Sequence, residues 1–504
     1  MTYNWKKLQN GSDIRGVAID GVQDEPVNLF PETVSTLGQV FSHWLSKRLN
    51  KKDITIAVGT DSRLSGAELK KALLEGVTAT NANALDCGMA STPAMFMTTI
   101  TSPFNADGAI MLTASHLPYN RNGMKFFTKD GGLEKSDISE LLDMAEKHTT
   151  QNTQSKGRVE EVDFISVYSG ILADKIRKAV KAEDFDHPLK GFRIVVDAGN
   201  GAGGFYATKV LAKLGADIRG SQFLEPDGTF PNHVPNPENE EAMASICSAV
   251  EEQEADLGII FDTDVDRAAV VDSKGNAISR NELVALSAAI VLDENPGTTI
   301  VTDSITSDGL TGFINGVLGG KHHRFKRGYK NVINEAIRLN NEGEECHLAI
   351  ETSGHAAIKE NYFLDDGAYL ATKIVIKMAQ LRKQHQTLES LIEELPKPTE
   401  SKEYRLKILE DDFKAFGEKV ISELEKFATD TDDWEVVKPN YEGVRISSTC
   451  ETEQGWLLMR LSLHDPVIPV NIESNIEGGV KNITSRLVEF LKDKSYLDIT
   501  SMKG

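Results

Sequence analysis

Basic residues are scarce beside acidic ones: 55 Lys and Arg stand against 76 Asp and Glu, a formal net charge of −21 over 504 residues. A nucleic-acid backbone calls for a basic face, so no nucleic-acid partner is expected. No apolar run reaches the roughly 18 residues that a membrane-spanning helix needs, so no membrane partner is expected either. The N-terminal stretch Met1-Thr2-Tyr3-Asn4-Trp5-Lys6-Lys7 lacks the apolar core of a secretory signal, which makes the cytoplasm the expected compartment. Cysteine is rare as well. The four, Cys87, Cys247, Cys346 and Cys450, lie far apart and form no C-x-x-C, so buried free thiols in a reducing compartment are expected.

What is present is glycine, 40 residues of it, and a 40% hydrophobic content, the composition of a globular protein with many tight loops. The length exceeds what one core can serve, so three to four domains are expected. Short β-branched runs recur, each leading into a polar loop and then a helical pattern. Ile54–Val58 leads to Gly59-Thr60-Asp61-Ser62-Arg63, Ala109–Leu112 to Ser115, and Arg193–Val196 to Asp197-Ala198-Gly199-Asn200-Gly201. Leu257–Phe261 leads to Asp262, Thr299–Thr302 to Asp303-Ser304, and His347–Ile350 to Glu351. Such alternation indicates α/β layers, whose ligands gather past the strand ends. The polar stretch Glu146–Gly157, the turn at Ser273–Asn276 and the Pro-rich Leu395–Ser401 read as boundaries. They divide the chain into 1–155, 156–276, 277–398 and 399–504, the last a smaller α+β domain.

Several loops carry chemistry. Thr113-Ala114-Ser115-His116-Leu117-Pro118-Tyr119-Asn120-Arg121-Asn122-Gly123-Met124-Lys125 puts a serine and a histidine just past an apolar strand, and Pro118 and Gly123 shape a loop that returns a lysine. That serine is placed to carry a group; an ordinary loop is the plainer reading of a Ser-His pair taken alone. Asp262-Thr263-Asp264-Val265-Asp266-Arg267 offers three carboxylates at alternate positions. They can converge on one hard cation, Mg²⁺, Mn²⁺ or Ca²⁺ rather than Zn²⁺, or form a solvated acidic turn. The Gly and Glu spacings of an EF-hand are missing. In Glu351-Thr352-Ser353-Gly354-His355 the Glu and Ser can bond neighbouring sugar hydroxyls, although a helix-starting turn would look the same. Arg324–Lys330 is the one dense basic run in an acidic chain.

Taken together these strings resemble the α-D-phosphohexomutases. The serine loop is similar to the family's T-A-S-H-N-P-x-x-x-N-G-x-K, with Leu117 for Asn, and the acidic loop to D-G-D-x-D-R, with Thr263 for Gly. Glu351–His355 resembles the sugar loop G-E-x-S-G-H, with Ile350 for Gly and Thr352 at the position that varies among substrate subgroups. Gly328-Tyr329-Lys330 resembles G-[FYW]-K, and Ser12-Asp13-Ile14-Arg15-Gly16 resembles Y-D-I-R-G; Gly59–Ser65 matches a string read as structural. Arg460-Leu461-Ser462-Leu463-His464-Asp465-Pro466 resembles the phosphate clamp R-P-S-x-T-E-P, with Leu461, His464 and Asp465 as departures.

The resemblance implies an α/β multidomain fold, three similar α/β domains with mixed sheets plus a smaller α+β C-terminal domain, around a central cleft. It implies a mutase that interconverts hexose 1-phosphate and hexose 6-phosphate, of glucose or mannose, through a phosphoserine and a bound 1,6-bisphosphate. Ser115 would carry the phosphoryl group, with Arg15, Lys125, His116 and possible help from His355 neutralising charge or moving protons. Mg²⁺ would be held by Asp262, Asp264, Asp266 and an oxygen on Ser115. The phosphosugar would meet Arg267, Gly328, Tyr329, Lys330, Glu351, Ser353, His355, Arg460, Ser462 and His464. A hexose 1,6-bisphosphate primer is expected; protein partners are left open. An amino-sugar mutase shares this chemistry, and a non-enzymatic phosphosugar-binding paralogue is the alternative of another class.

Overall fold

The computed structural model describes residues 3–147, 156–462 and 465–503. Two compact units emerge: Met1–Leu283 with Ser353–Ser390, and Val284–Thr352 with Leu391–Gly504.

In the first unit an eight-stranded sheet has the order Gln9–Asn10, Asp13–Val17, Arg121–Thr128, Gly108–Leu112, Thr55–Thr60, Asn83–Met89, Val159–Glu161, with Gly131–Gly132 added beside Arg121–Thr128. Thr55–Thr60 runs parallel to both Asn83–Met89 and Gly108–Leu112. All five residues of Gly108–Leu112 are buried, which explains their unbroken apolar run. Helix Pro31–Leu49 covers the sheet, starting on a proline whose missing N–H costs nothing at that position and ending at Asn50 in the left-handed region. It buries Leu37, Phe41 and Leu45 against Ile56, Val58, Ile110 and Leu112, each such side chain contributing roughly 1.5–3 kcal/mol.

A second sheet of the same unit has the order Ala277–Ile278, Ala268–Val271, Leu257–Phe261, Ile194–Asp197. Here the strand-loop-helix expectation needs correcting at two places, as it does after Ile350, whose loop leads into strand Ala356–Ile358. Leu112 and Phe261 do not lead through their loops into helices. Each chain turns back as an antiparallel strand, Arg121–Thr128 against Gly108–Leu112 and Ala268–Val271 against Leu257–Phe261. The return segments are themselves buried, Ala268–Val271 throughout and Arg121–Thr128 at all but its two end residues, so they finish the sheet rather than cross over it. The serine and acidic loops are thereby tight connections pinned at both ends. The short hairpin Ala356–Ile358 with Leu364–Asp365, and helix Gly367–Arg382, complete this unit.

In the second unit Thr299–Thr302 lies between the parallel strands Lys321–Arg324 and Cys346–Ile350. The C-terminal part is an antiparallel sheet ordered Trp434–Val436, Val444–Ser448, Gly455–Met459, Val467–Ser474, Glu400–Ile408, Leu497–Asp498. Helices Phe413–Thr429 and Gly479–Leu491 close its core, an α+β arrangement.

The expectation for cysteine holds only in part: all four are free, but Cys247 and Cys450 are half-buried while Cys87 and Cys346 are buried. Burial pushes the Cys87 thiol up to about 12. Among the described residues no helix is long and apolar enough to cross a membrane.

Candidate active site

Ser115 follows the buried strand Gly108–Leu112 with φ of 50°, a left-handed conformation that a residue with a Cβ rarely adopts. Its N–H donates to Thr113 Oγ1 at 2.9 Å, and one larger side chain grips the loop around it. The buried Arg63 guanidinium donates to the carbonyls of Ser115 (2.5 Å), Leu117 (2.6 Å), Pro118 (2.7 Å) and Arg121 (2.9 Å). Arg63 in turn pairs with Asp61 at 3.3 Å, both side chains fully enclosed. Burial, opposed first by Arg63, raises the Asp61 carboxyl to about 6. The string Gly59–Ser65 is therefore structural in a particular sense: it grips the serine loop. Gly123 lies opposite Arg15 in the sheet, and a Cβ there would sit 2.2 Å from the Ile14 carbonyl, so only glycine allows this approach.

The second loop meets the first. Ser115 Oγ donates to Asp262 Oδ2 at 2.9 Å, although 147 positions separate them, and lies 3.3 Å from His116 Nδ1. Asp262, Asp264 and Asp266 are all buried, with an oxygen from each within 4.8 Å of the others. Val265 between them has φ of 66°, a strained value for a β-branched residue and the kind of strain found at functional sites. Gly201 backs this loop: its Cβ would stand 2.6 Å from the Thr263 carbonyl, which also accepts from Ala202 N at 2.8 Å. Thr92 caps it from another side, donating its hydroxyl to Asp264 Oδ2 at 2.5 Å.

The electrostatics are those of a cation site. Burial, then the like charges of Asp266 and Asp264, push Asp262 well above the carboxylate range. Burial would raise Asp266 too, but the charges of Lys125 first and then Arg267 outweigh it and hold Asp266 low. Lys125 pairs with Asp266 and stands 3.3 Å from Asp264 Oδ2. Asp264 Oδ1 and Asp266 Oδ1 are buried without a hydrogen-bond partner. Orphaned oxygens in an oxygen-only donor set fit a hard divalent cation.

Around this centre stand three further expected residues. Arg15 Nη2 pairs with Asp13 at 3.0 Å. Arg267 donates its backbone N–H to Asp262 Oδ1 at 3.2 Å and its Nε–H to His355 Nε2 at 2.8 Å. His116 is held at about 2 by burial first and then by Arg267 and Arg15, so its imidazole is neutral. Ser353 also belongs to this unit, its buried Oγ without a hydrogen-bond partner.

The remaining expected residues lie in the second unit and do not join the serine and its carboxylates within one unit. Gly328, with φ of 115°, heads helix Tyr329–Asn341, which begins with Tyr329 and Lys330. Its N–H donates to Glu351 Oε1 at 2.6 Å, which ties the basic run to Glu351. Thr352 spends its hydroxyl on Asp303 Oδ2 at 2.8 Å. Arg460 is buried, 3.9 Å from Glu442, with its Nε unpartnered; Ser462 Oγ accepts from Asp465 N at 3.3 Å. Leu461 packs where Gly417 leaves room on helix Phe413–Thr429. His464 lies outside the described residues.

Sequence reasoning missed Thr92, Glu442 and Asp365. Thr92 stands in Ser91-Thr92-Pro93, a helix start, and gave no other signal. Glu442 accepts from Ser304 Oγ at 2.5 Å and Arg327 N at 3.1 Å, partners remote in sequence. Asp365 accepts from His355 Nδ1 at 2.5 Å and sits in a strand of two residues, too short to read.

A serine hydroxyl aimed at buried carboxylates, with cations around it and α/β sheets beneath, defines an enzyme of the group-transfer class. Residues 6–152, 173–275 and 279–399 match, in order, the alpha/beta/alpha domains I, II and III of phosphoglucomutase/phosphomannomutase. A Pseudomonas syringae protein named phosphomannomutase/phosphoglucomutase is 32% identical over 94% of this chain and 92% of its own. A Burkholderia thailandensis structure of the phosphoglucomutase/phosphomannomutase family aligns with TM-score 0.77 and 27% identity over 96% of both chains. An Aspergillus fumigatus N-acetylphosphoglucosamine mutase, solved with GlcNAc-6P and magnesium, shares the fold at TM-score 0.56 and 12% identity over 98% of this chain and 96% of its own. The chain belongs to the phosphoglucomutase/phosphomannomutase family of α-D-phosphohexomutases, which are isomerases.

Proposed function

We propose that this enzyme interconverts the 1-phosphate and 6-phosphate of a hexose, glucose or mannose, with Ser115 Oγ as the phosphoryl carrier. The observation that carries the reading is Ser115 in a strained left-handed turn, its hydroxyl 2.9 Å from Asp262 within the ring of three buried carboxylates. A free hydroxyl of the bound monophosphate attacks phosphorus as the Oγ–P bond breaks, giving the 1,6-bisphosphate. The sugar then turns round, and its other phosphoryl group returns to Ser115 as the second C–O–P ester is cleaved on the phosphorus side. Atoms and charge balance, and the net change is isomerisation. A hexose 1,6-bisphosphate primes the cycle by phosphorylating Ser115.

Asp262, Asp264 and Asp266, with an oxygen on Ser115, would hold Mg²⁺. When bound, such an ion withdraws charge from the transferring phosphoryl group. Lys125, Arg15 and Arg267 bring three cationic side chains to the same group, where charge spreads over the equatorial oxygens. His116, 3.3 Å from Oγ and neutral in the resting enzyme, is placed to relay the attacking hydroxyl's proton, which ends on Ser115 Oγ as the Oγ–P bond breaks. Gly328, Tyr329, Lys330, Glu351 and Ser353 address the sugar, and His355, expected beside them, serves it through Arg267, which its Nε2 engages. Arg460 and Ser462, with His464, take the non-reacting phosphate; the unpartnered Arg460 Nε supports an anion there. The four domains run 1–155, 156–276, 277–398 and 399–504. Four free cysteines fit a reducing cytoplasm.

The test is a coupled assay with glucose 1-phosphate or mannose 1-phosphate, Mg²⁺ and glucose 1,6-bisphosphate. Intact mass of the wild type should show one phosphate that Ser115→Ala lacks, and the variant should lose nearly all turnover. Wild-type turnover in Ser115→Ala would end this reading. Turnover confined to amino-sugar phosphates would move the enzyme to that subgroup.

A further inference from the structure

Arg267 is fixed by a relay of side chains that begins at Asp365 and passes through His355. Arg267 Nε–H is a donor at every accessible pH, and it points at His355 Nε2 from 2.8 Å. That nitrogen must therefore present its lone pair. A neutral imidazole has one proton, so it resides on Nδ1, and Asp365 Oδ2 stands 2.5 Å from that atom to receive it. All three side chains are buried, so water does not offer a substitute acceptor. Asp266 Oδ1, at 3.9 Å from His355 Nδ1, is too far to compete.

Asp365 is held in turn by the hairpin of Ala356–Ile358 and Leu364–Asp365, where it pairs with Ala357. Asp366, next to it, caps helix Gly367–Arg382, accepts from Tyr369 N at 2.8 Å and takes the Tyr168 hydroxyl at 2.6 Å. The backbone at Asp365 is thus anchored on both sides, in a strand and at a helix start. At the other end of the relay, the Arg267 backbone also bonds Asp262. The guanidinium is oriented from His355, while the main chain is tied to the residue that receives Ser115 Oγ–H.

We infer that Asp365 is a positioning residue for the transfer at Ser115: by taking the His355 Nδ1 proton it commits Nε2 to Arg267 and fixes the guanidinium beside the reacting group. This rests on the reading of Ser115 as phosphoryl carrier. The geometry it asserts, one tautomer of one histidine, is measurable without turnover.

The experiment pairs histidine ¹⁵N NMR with kinetics on the full chain. In wild type, His355 should show a pyrrole-type Nδ1 and a pyridine-type Nε2, assigned by loss of the signal in His355→Gln. Asp365→Ala should shift His355 toward the Nε2–H form and lower kcat by roughly a hundredfold, the cost expected of a misplaced group. KM should change far less, since the guanidinium acts where charge develops in the transition state. Asp365→Asn keeps an acceptor oxygen, so it should keep the Nδ1–H tautomer and lose much less kcat than the alanine variant. An Nε2–H or doubly protonated His355 in wild type would overturn the relay, and this arm holds even if Asp365→Ala fails to fold. Wild-type kcat in Asp365→Ala with a switched tautomer would also overturn it. If the wild type showed no mutase turnover while the tautomers behaved as stated, the functional reading would fail and the relay geometry would stand.

Discussion

Removing Arg63 should damage stability and activity by separable routes. Its guanidinium, fully enclosed like its partner Asp61, makes four hydrogen bonds to loop carbonyls and one ion pair. Arg63→Met leaves Asp61 as a buried carboxylate without its cation, a loss of about 3–5 kcal/mol when one partner of a buried pair goes. Asp61 is already raised to about 6 with Arg63 in place, so at neutral pH it would be forced toward protonation. Adding Asp61→Asn removes the charge yet keeps an oxygen for the backbone N–H of position 63, which Asp61 Oδ1 now accepts at 2.9 Å. The double variant should therefore recover roughly half of the lost stability, about 2 kcal/mol. It should not recover activity. Ser115 would no longer be gripped in its left-handed turn, which costs of order 1–3 kcal/mol to maintain, and kcat should stay down by about a hundredfold. Urea titration and the coupled mutase assay, run on wild type and both variants, separate the two effects. A double variant with wild-type kcat would refute the claim that this grip forms the site. So would an Arg63→Met protein with an unchanged urea midpoint.

Other consequences are as concrete. Asp264→Asn removes one full charge from the acidic loop and should weaken Mg²⁺ binding by about tenfold or more, read by calorimetry on the resting protein; unchanged affinity would place the cation elsewhere. Arg460→Ala should raise KM for the hexose phosphate by about 2 kcal/mol, some thirtyfold, with kcat less affected, and an unaltered KM would move the phosphate clamp. Glu473, buried beside Trp456 and raised to about 7 chiefly by burial, holds its proton more tightly folded than unfolded. Stability should accordingly fall as pH rises from about 4.5 to about 7, by up to about 3 kcal/mol, and Glu473→Gln should flatten that slope; parallel profiles for the two proteins would contradict the assignment.

The loops that bear the chemistry were legible because their neighbours are simple. Gly108–Leu112 and Leu257–Phe261 are short runs buried on both faces, so they read as strands without ambiguity, and Ser115 and Asp262 stand one to three residues past their ends. Three aspartates at alternate positions offer an oxygen-donor set, as a solvated acidic turn also would, and their burial belongs to the tertiary structure. A strained Ser115 and a left-handed Val265 were not legible, since backbone angles at such residues are imposed by what packs on them rather than by their own preference. The loops' return as antiparallel strands was hidden as well: a segment beyond a loop does not record whether it crosses over or turns back.

The sequence by itself determined which residue types occur past which strands, and with them the oxygen-donor set, a serine and histidine past a buried strand, and the acidic, glycine-rich character of the chain. These are local properties, written in spacing and side-chain type. Only the tertiary structure decided who meets whom. It brought Ser115 to Asp262 across 147 positions, set the Arg63 fork under four carbonyls, and laid Asp365 behind His355 and Arg267. Hydrogen bonds act over about 3 Å and are blind to separation along the chain, so no spacing in the sequence records them.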